Sequence, residues 1–161
     1  IGDAYMCVAG VPAESRGHAI AACLASLEIQ HHMERTNVQR EKMRMPRWDM
    51  RIGLHSGPII AGVVGEKKFT YDVWGDAVNI AALMEKESEP GRINISQTTF
   101  QQVSEAFETE ERGEIDSGKK GLLTMYFVNR LKPEFSSDAD GIKPNEAFQQ
   151  QFGNLLRVYD R

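Results

Sequence analysis

Cysteine is nearly absent: the 161 residues hold two, Cys7 and Cys23, with no Cys-x-x-Cys spacing and no histidine placed to share a metal with either. This excludes a disulfide scaffold and a thiolate zinc centre, and it predicts buried free thiols in a reducing, cytoplasmic setting. Long hydrophobic runs are missing as well. No stretch approaches the ~20 apolar residues that cross a bilayer, and the first residues lack the charged and apolar regions of a secretory leader. Positive charge is in deficit, with 19 Lys and Arg against 23 Asp and Glu and a formal charge of −4, so there is no basic field to gather nucleic acid. No internal repeat is visible. An initiator methionine is lacking too: Ile1 leads directly into an apolar run, so the chain is expected to continue a longer protein, whose upstream part could include a membrane anchor.

What is there, 41% hydrophobic and 26% charged residues, is the balance of a globular domain long enough to bury one core unaided. Residues 4–8 read as a strand. Gly10, Val11 and Pro12 break it, and Ser15 is placed to cap a helix over 16–42. In that helix Ile20, Cys23, Leu24, Leu27 and His31 recur at three- and four-residue steps, which makes one buried stripe. Beyond Pro46, Trp48, Met50, Ile52 and Leu54 alternate with Asp49, Arg51, Gly53 and His55, the period of a half-buried strand. Residues 55–58 read as the turn of a hairpin that returns along the continuous apolar run 59–64, suited to a central strand.

An extended stretch at 67–72 follows, then a helix over 75–85 with Val78, Ala81 and Ala82 inward, and a strand over 92–96. A helix over 97–107 is expected to be capped by Thr98 or Thr99, and a polar turn at 118–121 leads into a strand over 122–128. Residues 133–143, rich in Asp and Ser, read as a linker to a terminal helix from Asn145 onward. The irregular alternation of helices and strands favours an α+β sandwich on an antiparallel or mixed sheet over a parallel doubly wound one.

Two segments carry potential chemistry. Asp3 follows Gly2 at the head of the first apolar run, where rigid backbone could present a carboxylate to a hard cation such as Mg²⁺, although a Gly-Asp turn is by itself more often structural. The second segment, Tyr71-Asp72-Val73-Trp74-Gly75-Asp76-Ala77-Val78-Asn79-Ile80-Ala81-Ala82, runs from a strand end through a glycine into a helix. That arrangement offers backbone N–H groups and the positive end of a helix to a polar or anionic ligand. On spacing alone, a helix start capped by Asp72 or Asp76 is the plainer reading.

Together these segments change meaning, because the string resembles the class III adenylyl and guanylyl cyclase family. The resemblance is carried in order by Ile1-Gly2-Asp3-Ala4-Tyr5-Met6, Arg51-Ile52-Gly53-Leu54-His55-Ser56-Gly57-Pro58, Ala61-Gly62-Val63-Val64-Gly65, the 71–82 segment, and Gly91-Arg92-Ile93-Asn94-Ile95-Ser96. It spans residues 1–131, the cyclase catalytic domain without its first strand and helix; residues 132–161 form a C-terminal tail with a helix. The resemblance implies a ferredoxin-like sandwich acting as a head-to-tail dimer, with each active site built from two chains. It further implies two Mg²⁺ or Mn²⁺ ions, Asp3 as one of the two metal aspartates, Asp72 accepting from the adenine amino group with the Val73 backbone assisting, and Asn79 orienting the ribose. The substrate implied is ATP, because guanine would present a carbonyl to Asp72.

Two positions depart from the family pattern. Leu83 stands where relatives carry an arginine that neutralises phosphate charge, and Gly118 stands where they carry a triphosphate-binding lysine, which Lys119 could replace from one step along the turn. The expected function is therefore an adenylate cyclase. The alternative is a degenerate, non-catalytic cyclase-like module that dimerises or binds nucleotide and regulates a partner. A diguanylate cyclase is discounted, since its Gly-Gly-Asp/Glu-Glu-Phe turn is absent.

Overall fold

The computed structural model describes residues 3–65, 69–118 and 121–157. Helix α1 (His18–Lys42) buries Ile20, Cys23 and Leu27 of the expected stripe, with Ala19 added, while Leu24 and His31 of that stripe are half-buried. Its cap is Gly17, not Ser15. The Ser15 hydroxyl donates instead to the Leu155 carbonyl at 3.1 Å, and the Gly17 amide donates to the same oxygen at 2.9 Å. A carbonyl in the last turn of a helix has no partner within that helix, so these two donors from the start of α1 satisfy it. Burial pushes the Cys23 thiol up to about 12, so it stays protonated inside the core.

After α1 the chain doubles back. The side chain of buried Asn37 accepts from the Trp48 amide and donates to the Trp48 carbonyl, both at 2.9 Å. With its backbone groups so occupied, Trp48 cannot enter a strand ladder, and the expected strand from 48 shortens to β1 (Ile52–Leu54).

Strand β2 (Ile60–Val64) does not return along β1. It pairs antiparallel with β3 (Thr70–Trp74) in a separate two-stranded sheet, with Gly62 opposite Asp72 and Ile60 opposite Trp74. Far from central, this sheet is a projecting arm: Ile60 is 72% exposed, Val63 62% and Phe69 75%. β1 instead pairs in parallel with β4 (Ile93–Ser96), and helix α2 (Asp76–Lys86) makes the crossover. Gly53 is what allows this, since any side chain there would overlap the α2 backbone at Glu85. α2 buries Ala77, Ile80 and Met84, a face rotated from the expected Val78, Ala81 and Ala82; Ala82 is exposed.

The main sheet has the order β1-β4-β6-β5, parallel at the first pair and antiparallel at the other two, which is the mixed sheet of an α+β sandwich. β5 (Phe107–Asp116) and β6 (Leu122–Leu131) form its far half. Helices α1, α3 (Gln97–Val103) and α4 (Glu146–Leu156) cover one face through Ile93, Ile95, Val128 and Leu131. α2 covers part of the other through Met84 and Met125. Neither Thr98 nor Thr99 caps α3, whose N-cap is Ser96.

The expected linker at 133–143 is folded onto the domain. Pro133–Phe135 is a 3₁₀ turn, and Phe135 packs edge-on against Phe148 and Phe152 of α4 within the main core. Asn145 caps α4 by accepting from the Phe148 amide at 2.9 Å. The expected first strand is also corrected: residues 4–9 join no ladder among the described residues and lie exposed, Tyr5 at 90%, so that of the two thiols expected to be buried only Cys23 is, and Cys7 is exposed. An extended segment becomes a strand only when a neighbour takes up its amides and carbonyls, and no described strand is paired with this one. Among the described residues no helix is long and apolar enough to cross a membrane.

Candidate active site

Asp72 and Val73 lie on β3 and Asn79 on α2, consecutive elements joined at Gly75. In a strand, cross-strand partners and alternate residues share a face, so Asp72 lies on the same side of the arm as Trp74, Ile60 and Val64. Its carboxylate Oδ1 accepts from the Val73 amide at 2.8 Å. The other oxygen of Asp72 carries no bond among the described residues, and the side chain is exposed. The plainer sequence reading, Asp72 or Asp76 as the cap of α2, is not what forms: Gly75 is the N-cap and no side chain caps it. Gly75 has φ 138°, a backbone conformation that favours glycine, and there the chain turns from the arm into α2. Asn79 is exposed on the first turn and a half of that helix.

The root of the arm is tightly built. A Cβ at Gly75 would stand 3.1 Å from the Pro58 carbonyl oxygen, so the two strands of the arm leave the body pressed against one another. Below them α2 ends on a buried polar anchor. Asn94, wholly inaccessible and opposite Gly53 in the parallel pair, donates to the Met84 carbonyl at 2.9 Å and so satisfies a carbonyl of the last turn.

Leu83 and Gly118, the two departures, meet in the same region. Leu83 is half-buried against the cluster of Ile80, Met84 and Met125, together with Ile115 and Leu123. Ile115 and Leu123 are directly opposed in the β5–β6 ladder at the base of the 117–121 turn. The turn is closed by the Ser117 amide and hydroxyl on the Gly121 carbonyl, at 3.0 and 2.9 Å, and by the Gly118 amide on the Asp116 carboxylate at 2.8 Å. Both positions at which the resemblance leads one to expect charge thus present apolar or backbone groups here. Lys119 lies outside the described residues.

Asp3 stands apart. It is exposed, and no hydrogen bond or ion pair joins it to Asp72, Val73 or Asn79 among the described residues. Nor do three or more His, Cys, Asp or Glu side chains among the described residues converge to hold a metal ion. One exposed carboxylate does not make up the two-ion centre that the resemblance implies.

A polar cluster that sequence reasoning passed over lies at the arm's root: His55, Ser56, Ser96, Thr98 and Thr99. Its members come from two segments some forty residues apart, so only the parallel pairing of β1 with β4 unites them.

Comparison with known proteins follows the same lines. Residues 1–130 match the family model described as the adenylate and guanylate cyclase catalytic domain. An adenylate cyclase of Mycobacterium tuberculosis is 36% identical over 150 residues, covering 91% of this chain and 32% of that protein. The soluble guanylate cyclase subunit beta-2 of Rattus norvegicus is 37% identical over 131 residues, covering 80% of this chain and 18% of that one. Among solved structures, the guanylate cyclase domain of RhGC from Catenaria anguillulae in complex with GTP superposes with a TM-score of 0.67 at 31% identity, covering 77% of this chain and 66% of that one. The chain thus spans about a third of the adenylate cyclase it matches.

Proposed function

The chain belongs to the adenylate and guanylate cyclase catalytic domain family, and on that premise we propose that it is the catalytic part of an adenylate cyclase, converting ATP to 3′,5′-cyclic AMP and pyrophosphate. Residues 1–131 are assigned to the catalytic domain and 132–161 to a C-terminal extension. The two free thiols support a cytoplasmic setting, where ATP is supplied.

One observation carries the preference for ATP: the carboxylate oxygen of Asp72 that the Val73 amide does not occupy. An ionised carboxylate only accepts hydrogen bonds, so it suits the exocyclic amino group of adenine and repels the carbonyl that guanine carries at the same place. Rejection of the wrong purine follows from that unpaired, like-signed contact. Asn79, on α2 directly after the arm, has both a donor and an acceptor for the ribose hydroxyls. Holding base and sugar from one rigid strand–helix unit limits how the 3′-hydroxyl can lie against the α-phosphate, which is the orientational part of catalysis. The family's divalent cations, when bound, would neutralise phosphate charge.

A second copy of the chain is the partner we propose. The arm exposes apolar side chains on both faces, Ile60 and Val64 on the Asp72 side and Val63 and Tyr71 on the other, surface suited to burial against another subunit. In that reading Asp3 of one copy and the Asp72–Asn79 edge of the other serve one triphosphate.

The test is nucleotide preference. With Mg²⁺ or Mn²⁺ supplied, the wild-type chain should favour ATP over GTP, and Asp72→Cys should lower that ratio by about 10²-fold, the range expected for a lost polar discrimination. An unchanged ratio removes Asp72 from the purine pocket.

A second reading is favoured by the packing of Leu83 into the apolar cluster of Ile80, Met84 and Met125. With an apolar side chain and a glycine where phosphate charge is met, the domain would bind nucleotide or dimerise and regulate a competent partner without catalysing the reaction itself.

A further inference from the structure

We propose that His55 is a positioning residue, which sets the angle of the β2–β3 arm to α2 and thereby the placement of Asp72 relative to Asn79. The inference rests on the nucleotide-site reading above for its consequence, but on separate observations for its geometry.

The arm is joined to the body at two points, residues 56–59 on one strand and Gly75 on the other. Its residues are largely exposed, so its direction is decided at this root. His55, half-buried at the end of β1, is the last residue before the first of these points. Its Nδ1 lies 2.7 Å from Ser96 Oγ and 3.2 Å from Thr98 Oγ1. Those two hydroxyls, 3.0 Å apart, share a hydrogen bond. The ring is thereby fixed to the end of β4 and the start of α3, both parts of the main sheet layer.

The other side of the ring meets the root itself. A Cβ at Gly57 would stand 2.9 Å from His55 Nε2 and 3.2 Å from the Ala77 Cβ. Gly57 is therefore held between the His55 ring and the first turn of α2, with no room for a side chain. The neighbouring residue is fixed as well: Thr98 donates to the Ser56 carbonyl at 3.1 Å, and Thr99 donates to the Ser56 hydroxyl at 3.2 Å. The imidazole acts as a spacer of set thickness and direction between the sheet layer and the arm's root. Because Pro58 presses on Gly75, any shift at 56–58 passes directly to the junction between Asp72 and Asn79. A purine and its ribose held from both sides of that junction are sensitive to displacements of about 1 Å, which can cost on the order of 10²-fold in rate.

Two measurements on the full chain test this. The first needs no nucleotide: spin labels at Phe69→Cys on the arm and Gln101→Cys on α3, in a Cys7→Ser background, report the distance distribution between arm and body. His55→Ala should broaden or shift that distribution. His55→Asn, whose amide reaches where Nδ1 stands and can keep the bond to Ser96, should restore it. The second is the ratio of kcat/KM for ATP over GTP, which His55→Ala should lower by about tenfold or more and His55→Asn should bring back to within a few-fold of wild type. A residue that merely supported the fold would lower thermal stability and leave the ratio unmoved. An unaltered distance distribution in His55→Ala, or failure of His55→Asn to rescue it, overturns the proposal whatever the activity. A shifted distribution in a chain that neither binds nor turns over ATP leaves the positioning role standing and refutes the nucleotide-site reading.

Discussion

At position 83 a half-buried leucine packs against the cluster of Ile80, Met84 and Met125, the same cluster that Ile115 and Leu123 of the β5–β6 ladder pack against. A guanidinium at this point would keep its methylenes on the same apolar surface and send its charge outward past the 117–121 turn. That makes the site a test of the two functional readings. In the presence of ATP and Mg²⁺, Leu83→Arg should raise turnover by about 10²-fold if the domain catalyses cyclisation, the usual worth of one donor aimed at developing phosphate charge. Turnover that stays at the blank level while ATP still binds would establish the non-catalytic reading. The same residue-level logic explains Asp72. Among the described residues the Asp72 carboxylate makes no bond beyond that to the Val73 amide, which leaves its second oxygen available to a ligand.

Among the elements, β5 is the least legible in the sequence. β5 carries Glu108, Glu110, Glu111, Glu114 and Asp116 and went unrecognised, because glutamate and aspartate are depleted in strands. The reason it is a strand is its position: β5 is the edge of the sheet, where charge and bulges prevent edge-to-edge pairing. Register shifts occur at Glu108/Thr109 and Glu111/Gly113. Two of its carboxylates are paired across the sheet, Glu108 with Arg130 at 2.7 Å and Glu110 with Arg92 at 2.9 Å. The hydrogen bond from Arg130 holds the Glu108 carboxyl below its ordinary range.

α4 was foreseen as a helix but not as core. Phe148 is wholly inaccessible and its ring meets those of Phe135 and Phe152. Phe148→Ala should therefore destabilise the whole domain by about 3–5 kcal/mol, read as a lower urea midpoint with an unchanged slope. A loss under about 1 kcal/mol would mean that the C-terminal segment folds independently of the sheet.

For the molecule as a whole, the arm is the feature that a single chain leaves incomplete. An antiparallel pair exposed on both faces, with Val63 and Tyr71 directly opposed on one of them, gains most from a second surface. The chain should therefore sediment as a dimer at high micromolar concentration. Val63→Asp, which puts a charge in the middle of that patch, should weaken association by about tenfold or more. A wild-type chain that remains monomeric throughout would contradict a shared active site.

By itself the sequence determined the fold class, the apolar stripe of α1, the terminal helix from Asn145 onward, and the strand–glycine–helix unit that carries Asp72, Val73 and Asn79. Each of these is a local matter, in which periodicity, turn chemistry and residue order operate within about a dozen positions. Tertiary structure alone decided that β2 leaves β1 for β3, that Trp48 is withheld from a strand by Asn37, that residues 4–9 stay outside the ladder, and that Leu83 and the 117–121 turn share one corner. Those outcomes depend on which distant group supplies a hydrogen-bond partner or an apolar surface. Such partners meet only once the chain has closed on itself, so no window of sequence contains both sides of the contact.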